Sequence, residues 1–112
     1  MTYPFANTVK SVVDLLVAGR YAELERLTAG TRLSADDMAR AIRQYGRVLV
    51  TPPEEAYEDL DVVQVKNASP SRWSVRMSLW TAEEGRSDLS LELTVAESSD
   101  GYLIEVDDIH VL

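Results

Sequence analysis

Acid–base chemistry in this sequence is concentrated in Asp108 and His110. Residues two apart on a β-strand project from the same face, so the carboxylate can orient the imidazole as a general base. Tyr102, earlier on the same predicted strand, would complete the catalytic group of an enzyme. A metal site has weaker support, because one histidine beside Asp107 and Asp108 offers too few ligands and no calcium-loop spacing occurs. The sequence therefore predicts neither a metal nor a cofactor.

The orientation of Asp108 and His110 depends on a change of phase in the hydrophobic pattern. Val106 ends one alternating run, and Ile109 and Val111 begin another that is offset by one residue. An uninterrupted strand would point the acidic and imidazole side chains inward, whereas a β-bulge would turn them outward and bury the two aliphatic residues. The bulge costs less, because the alternative buries a carboxylate. We therefore predict the bulge and no catalytic site.

An acidic segment around Tyr57 is the second candidate site. It consists of Glu54, Glu55, Glu58, Asp59 and Asp61. The chain has 11 basic and 19 acidic residues and a net charge of -8, which favours a basic protein partner and argues against nucleic acid or an anionic membrane. The simpler interpretation is a solvated loop that keeps the protein soluble, because runs of charge commonly do no more.

The third candidate is a surface centred on Trp80. This residue alternates in phase with Ser74, Arg76 and Ser78, which places a large aromatic side chain on the solvent side of a predicted strand. Arg76 is expected to lie opposite or diagonal to Glu92 on the next strand. Small hydroxyl residues permit close approach, so we predict a homodimer or a protein partner on this face. Packing of Trp80 against a loop or the sheet edge is the alternative.

Several other chemistries are excluded by what the sequence lacks. It has no cysteine, which removes thiol nucleophiles and zinc ribbons and fits a reducing compartment. Its five glycines are isolated, so there is no phosphate-binding loop or dinucleotide fingerprint. The first residues lack a signal-peptide pattern, and the apolar runs are too short to cross a bilayer. We expect a single cytoplasmic domain over residues 1–112, without membrane contact.

Three helices precede the strands in the predicted order of elements. Apolar residues at helical spacing predict the first over about residues 5–18, and a shorter second helix follows and is closed by Gly30. The third helix has the clearest limits, because Ser34 and Asp37 can form a capping box at its start and Gly46 can end it.

The second half of the chain alternates with a period of two, which is typical of strands with one buried face. A short extended segment over residues 47–50, a helical turn over residues 54–58 and a strand-like segment over residues 60–65 come first. The residues predicted to face inward are Trp73, Val75, Met77, Leu79, Leu89, Leu91, Leu93, Val95, Tyr102, Ile104 and Val106. Such a face indicates a filled core rather than a polar pocket. The sequence predicts an α+β domain, with helices covering one face of an antiparallel sheet of about four strands.

Two parts of the sequence resemble nuclear transport factor 2-like domains. One is residues 12–24, where a Gly-x-Tyr step joins two helices, together with residues 33–38. The other is residues 100–104 with 109–111, which stand where such domains place their last long strand. The resemblance implies a curved, cone-like sheet wrapped around helices, often with a pocket at the open end and often a dimer through the outer sheet face. It implies no single activity, because that superfamily includes isomerases, cyclases, dehydratases, immunity proteins and non-catalytic partners.

The leading hypothesis is a non-enzymatic binding module that uses its outer sheet face for self-association or for a protein partner. An immunity-type protein that blocks a basic toxin is one specific form of it. The alternative is a small-molecule-binding or isomerase-like enzyme that uses Asp108, His110 and Tyr102 near the mouth of the sheet.

Overall fold

The computed structural model describes residues 3–28 and 32–112 of the chain. The described helices are α1 (Ala6–Val17), α2 (Tyr21–Leu27) and α3 (Ala35–Tyr45). The strands that follow are β1 (Leu49–Val50), β2 (Asp61–Gln64), β3 (Arg72–Thr81), β4 (Gly85–Ser98) and β5 (Gly101–Val111), with a 3-10 turn at Glu54–Tyr57 before β2. The predicted α+β class, with helices before an antiparallel sheet, is confirmed. Gly30, predicted to close the second helix, lies outside the described residues.

The limits of α3 follow from its capping residues. The Ser34 hydroxyl accepts a hydrogen bond from the Asp37 backbone N–H at 3.1 Å, and the Asp37 carboxylate accepts one from the Ser34 N–H at 3.2 Å. This is the predicted capping box, and Gly46 ends the helix with a left-handed φ of +75°. None of the described helices is both long enough and apolar enough to cross a bilayer.

The strands form one antiparallel sheet in the order β1-β3-β4-β5. β2 lies off this path and pairs with β3 on the same edge as β1. β1 meets Trp80 and Thr81 at one end of β3, and β2 meets residues 73–76 nearer the other end. The sheet has five strands rather than about four, because the short extended segment before Pro52 pairs with β3 as β1.

The core lies between the helices and one face of the sheet, which we call the inner face. From the helical half it takes Phe5, Val9, Val12, Val13, Leu16, Leu24 and Met38, and from the inner face Val75, Met77, Leu79, Leu89, Leu91, Leu93, Val95, Ile104, Val106 and Ile109. Trp73 and Tyr102 are half-buried and pack on Phe5, with ring centroids 5.2 and 5.9 Å from its ring. Each strand residue predicted to face inward therefore packs in the core or against it.

The predicted bulge in β5 is present at Asp107. Leu93 pairs with Val106 and the preceding residue, Glu92, pairs with Asp108, so Asp107 is the extra residue on β5. The bulge returns Ile109 to the core, where it is 5% exposed. The prediction that Val111 would also be buried is wrong, since its side chain is 56% exposed. Val111 is the last residue of an edge strand and lies outside the core cluster.

Candidate functional site

The face of the sheet turned away from the helices, the outer face, carries its polar residues in rows that run across the strands. In each row the side chains come from matched positions of neighbouring strands and can contact one another. From one end of the sheet to the other, the rows are Val50–Trp80–Arg86, Ser78–Ser90–His110, Asp61–Arg76–Glu92–Asp108 and Val63–Ser74–Thr94–Glu105. Trp80, Arg76 and Glu92 therefore share one surface, as predicted.

Three residues on this face form a close group, which we call the His110 cluster: Glu92, Asp108 and His110. The Nε2 atom of His110 lies 3.1 Å from a Glu92 carboxylate oxygen, and its Nδ1 atom lies 3.0 Å from an Asp108 carboxylate oxygen. The bulge makes this possible, because it turns Asp108 and His110 outward and sets them opposite Glu92 and Ser90. The imidazole is thus held between two carboxylates from neighbouring strands.

The structure brings together two of the three residues of the enzyme alternative. Asp108 and His110 are in contact on the outer face. Tyr102 instead packs on Phe5 and Trp73 on the inner face, with its ring centroid 6.1 Å from that of Trp73. Tyr102 also lies eight positions before His110 along β5, about 26 Å in an extended strand. The three residues therefore do not form one catalytic group.

Polar atoms without hydrogen-bond partners collect around the His110 cluster. In the described part of the chain, the buried side-chain atoms of this kind are the Tyr57 hydroxyl, the Ser90 hydroxyl, Asp107 Oδ1 and His110 Nδ1. Three of these four lie on β4 and β5 in or beside the cluster. Ser90 is 1% exposed and sits opposite His110. His110 Nδ1 is close to Asp108 but not in hydrogen-bond geometry. Because buried polar groups normally have partners, this concentration calls for an explanation.

Asp107, the bulged residue, links the edge of the outer face to the helical side. One of its carboxylate oxygens accepts a hydrogen bond from the Thr94 hydroxyl. The other lies 3.5 Å from Arg32 Nε, and Arg32 is also 3.4 Å from Glu105. These contacts hold the bulged segment of β5 between β4 and the segment that leads into α3.

Arg76 lies directly opposite Glu92, which confirms the predicted cross-strand register. The expected ion pair between them is not formed, since Glu92 contacts His110 instead and no described carboxylate comes within 4.0 Å of the Arg76 guanidinium. Asp61 stands on the other side of Arg76 in the same row. Arg76 is thus an exposed cation within an acidic row, free to contact a ligand or a partner.

Trp80 lies half-buried at one end of the outer face. Its ring covers Gly85, where an added Cβ would be 3.7 Å from the indole. The indole also borders a surface depression of about 310 Å³, whose other lining residues include Glu55, Asp59 and Arg86. Trp80 therefore combines the two expected roles, because it packs on the β3–β4 turn and leaves part of its ring at an open surface.

The acidic segment is divided between two surfaces rather than forming one patch. Glu54 forms an ion pair with Lys10 of α1, and Glu58 lies in the same shallow groove as this pair. Glu55 and Asp59 face the depression beside Trp80. Asp61 begins β2 and belongs to the row of Arg76 and Glu92, so three of the five acidic residues adjoin the outer face.

Two groups near this segment have shifted pKa values. The hydrogen bond and the charge of Glu54 raise the pKa of Lys10. Burial raises the pKa of Tyr57 to about 12, with a contribution from the negative charges of Asp14 and Glu54. Tyr57 lies in the core between the acidic segment and α1, so its raised pKa reflects packing rather than a catalytic arrangement.

The interior offers little to acid–base chemistry. In residues 3–28 and 32–112, the polar groups buried from solvent are the hydroxyls of Thr28, Thr81, Ser87 and Ser90, together with the Tyr57 hydroxyl. The described carboxylates, the arginines and the histidine lie at least partly at the surface. Any chemistry that uses these groups therefore takes place on the outside of the domain.

Sequence reasoning missed the place of Glu92 in the His110 cluster. The spacing in the chain relates Asp108 to His110, and Glu92 was paired only with Arg76. A signal for the third residue was present, because the β4–β5 turn fixes the pairing of the two strands. Counting back from that turn and adding the bulge sets Glu92 opposite Asp108 and Ser90 opposite His110.

Comparison with known protein families gives a match over most of the chain. The model of a family described as "Domain of unknown function (DUF7668)" matches residues 13–112. No curated protein and no solved structure matches the chain. The matched region includes all of the strands and every residue of the outer face discussed above.

Proposed function

We propose that this chain, which belongs to the DUF7668 family, is a non-enzymatic binding module whose outer sheet face binds a basic surface of another protein. The observation that carries the proposal is the charge of that face. Its rows hold the carboxylates of Asp61, Glu92, Glu105 and Asp108 against the guanidinium groups of Arg76 and Arg86. With a net charge of -8 for the whole chain, this face attracts a positively charged partner.

Trp80 supplies the apolar contact that such an interface needs. Buried aromatic side chains carry a large share of the binding energy at protein interfaces, and charged residues at the rim mainly direct the encounter. Trp80 is half-buried and borders an open depression, with Glu55 and Asp59 beside it. A partner that inserts an apolar or arginine side chain into this depression would cover the indole and meet both carboxylates.

A basic partner is favoured over a second copy of the chain by charge. A two-fold homodimer would place the same face on both sides of the interface. The carboxylates of one copy would then face those of the other, at a cost in free energy unless Arg76 and Arg86 pair with them across the interface. Self-association through this face, which the sequence also suggested, is therefore the outcome that the experiment must separate from partner binding.

Within this proposal, an immunity-type protein that blocks a basic toxin is the specific form that we favour. The order of three helices followed by antiparallel strands supports the resemblance to nuclear transport factor 2-like domains, which stays a prediction. We also propose a cytoplasmic location, on the absence of cysteine, which fits a reducing compartment.

A lysine decapeptide, titrated into the 15N-labelled protein at low ionic strength, tests where a basic ligand binds. We expect amide shift changes to concentrate on the outer rows of β3, β4 and β5 and to weaken as salt is added. Asp61→Lys should weaken binding more than Asp100→Lys, which makes the same charge change at the β4–β5 turn. Shift changes spread evenly over helices and sheet, or equal effects of the two substitutions, would contradict the proposal.

Light scattering during size-exclusion chromatography tests the competing outcome. We expect the wild-type protein to be monomeric at tens of micromolar, with the same profile for Trp80→Ala. A wild-type dimer that dissociates in Trp80→Ala would replace the basic partner with a second copy of the chain.

A further inference from the structure

We propose that the His110 cluster, Glu92, Asp108 and His110, binds one divalent transition-metal ion of the zinc class on the outer face. Each residue offers one ligand atom, and these atoms lie within 4.8 Å of one another. Zinc takes carboxylate oxygen and imidazole nitrogen at about 2.0–2.2 Å, which in a tetrahedral site puts neighbouring ligand atoms about 3.3–3.6 Å apart. The observed 3.1 Å between His110 Nε2 and Glu92 is close to this separation, and the Asp108 carboxylate, which lies beside Nδ1, completes the site by rotating toward Nε2.

The buried atoms around the cluster give independent support. Ser90 is 1% exposed, projects from the same face as His110 directly opposite it, and has no hydrogen-bond partner for its hydroxyl. A metal ion gives the imidazole a ligand bond, and a water molecule on the metal gives the Ser90 hydroxyl the partner it lacks. The same cation neutralises the two carboxylates that flank the ring.

The ligand set selects among metals. Calcium and magnesium prefer sites made of oxygen atoms, whereas an imidazole nitrogen with carboxylates suits zinc and its first-row neighbours. Three protein ligands leave at least one coordination position for water or for a group from outside the protein. The guanidinium group of Arg76, which lies across from Glu92, repels a cation. The carboxylates of Asp61 and Asp107 on the same face nevertheless keep the local charge negative.

The positions of the ligands on neighbouring strands also matter for binding. Glu92 is held on β4, and Asp108 and His110 are held on β5, so main-chain hydrogen bonds fix their spacing before any metal arrives. A preformed site loses less conformational entropy on binding than a loop does. The bulge at Asp107 is part of the site, because it sets the register that brings the three residues together.

Isothermal titration of the full chain, freed of metal by dialysis against a chelator, tests the proposal with zinc and magnesium chlorides. We expect one zinc ion per chain and much weaker binding of magnesium. Glu92→Gln and His110→Ala should each weaken zinc binding at least about tenfold. Asp100→Asn, which removes a carboxylate at the exposed β4–β5 turn, should leave zinc binding nearly unchanged.

Nuclear magnetic resonance of the imidazole gives a second readout that needs no variant. The chain has a single histidine, so the 15N signals of its ring belong to His110 alone. We expect zinc to shift one ring nitrogen strongly and in proportion to the bound fraction. Absence of saturable one-to-one binding, unmoved ring signals, or equal weakening by Asp100→Asn and Glu92→Gln would overturn the proposal. These measurements use no protein partner, so a failure of the metal site is distinguishable from a failure of the proposed basic-partner binding, which concerns the metal-free face.

Discussion

Replacing Tyr57 by phenylalanine should stabilise the protein. The Tyr57 side chain is 4% exposed, and its hydroxyl has no hydrogen-bond partner among the described residues. A buried hydroxyl without a partner costs about 1–3 kcal/mol, so its removal should raise the free energy of unfolding by about 1 kcal/mol at pH 7. The ring itself stays in the core, and the substitution leaves no large cavity.

The gain should increase in alkaline solution. Burial raises the pKa of Tyr57 to about 12 from an ordinary value of 10.0, so the unfolded chain loses this proton at a pH where the folded chain still holds it. Below pH 10 the ionisation of Tyr57 therefore costs the wild type no stability, and the free energy of unfolding falls as the pH rises from 10 through 12. At pH 11 this loss is about 1.4 kcal/mol, which Tyr57→Phe does not suffer.

Urea unfolding of the two proteins at pH 7 and pH 11, followed by tryptophan fluorescence, measures both effects. Tyr45→Phe is the matched control, because the Tyr45 hydroxyl donates to the Glu84 carboxylate at 2.8–2.9 Å, and its removal should cost a little stability at pH 7. A lower stability of Tyr57→Phe at pH 7 would show that the hydroxyl has a partner. If the free energy of unfolding of Tyr57→Phe exceeds that of the wild type by no more at pH 11 than at pH 7, the raised pKa of Tyr57 is refuted.

Three further substitutions and one deletion test the fold. Ser34→Ala should lower the free energy of unfolding by about 1 kcal/mol in urea titrations, since it removes the cap of α3. Hydrogen bonds with Ser34 lower the pKa of Asp37 in the folded protein below its ordinary value of 3.8. Asp37→Asn should therefore be less stable than the wild type at pH 7, and this difference should vanish as the pH falls below 3.8 and through the lower pKa of the folded state. Leu91→Ala, at a fully buried position, should cost about 2–5 kcal/mol in the same assay. Deletion of Asp107 should remove the bulge but keep Asp108 opposite Glu92 and His110 opposite Ser90, so the imidazole resonances should report that the contact of His110 with Glu92 persists.

The fold could be predicted from the sequence wherever one local signal decided the structure. Ser34, Asp37 and Gly46 fix the limits of α3 because the caps act on backbone groups within one turn. The alternation of apolar and polar residues placed the inner-face residues of β3 and β4 correctly, because a strand has only two faces. The bulge was predictable for the same reason, since the offset of Ile109 from Val106 has no cheaper solution.

The candidate site could be predicted less well, because it depends on which strands are neighbours and where the sheet ends. Glu92 joins His110 only through the β4–β5 register, and spacing within one segment does not contain that distance. Val111 continues the alternation that buries Ile109, but it is the last residue of an edge strand. The sheet ends there, so nothing in the alternation itself shows that the side chain is exposed. The acidic segment looks continuous in the sequence, yet the 3-10 turn sends Glu54 toward α1 and Glu55 toward Trp80.

The bulge at Asp107 also affects how the protein resists aggregation. β5 spans Gly101–Val111 and is an edge strand, so its outer backbone groups could accept a strand from another molecule, as in amyloid growth. The bulge interrupts the regular main-chain ladder halfway along this edge. Glu105, Asp107 and Asp108 place three carboxylates at the same point, where an incoming identical strand would bring its own. The irregularity that exposes His110 therefore protects the long free edge from uncontrolled strand addition.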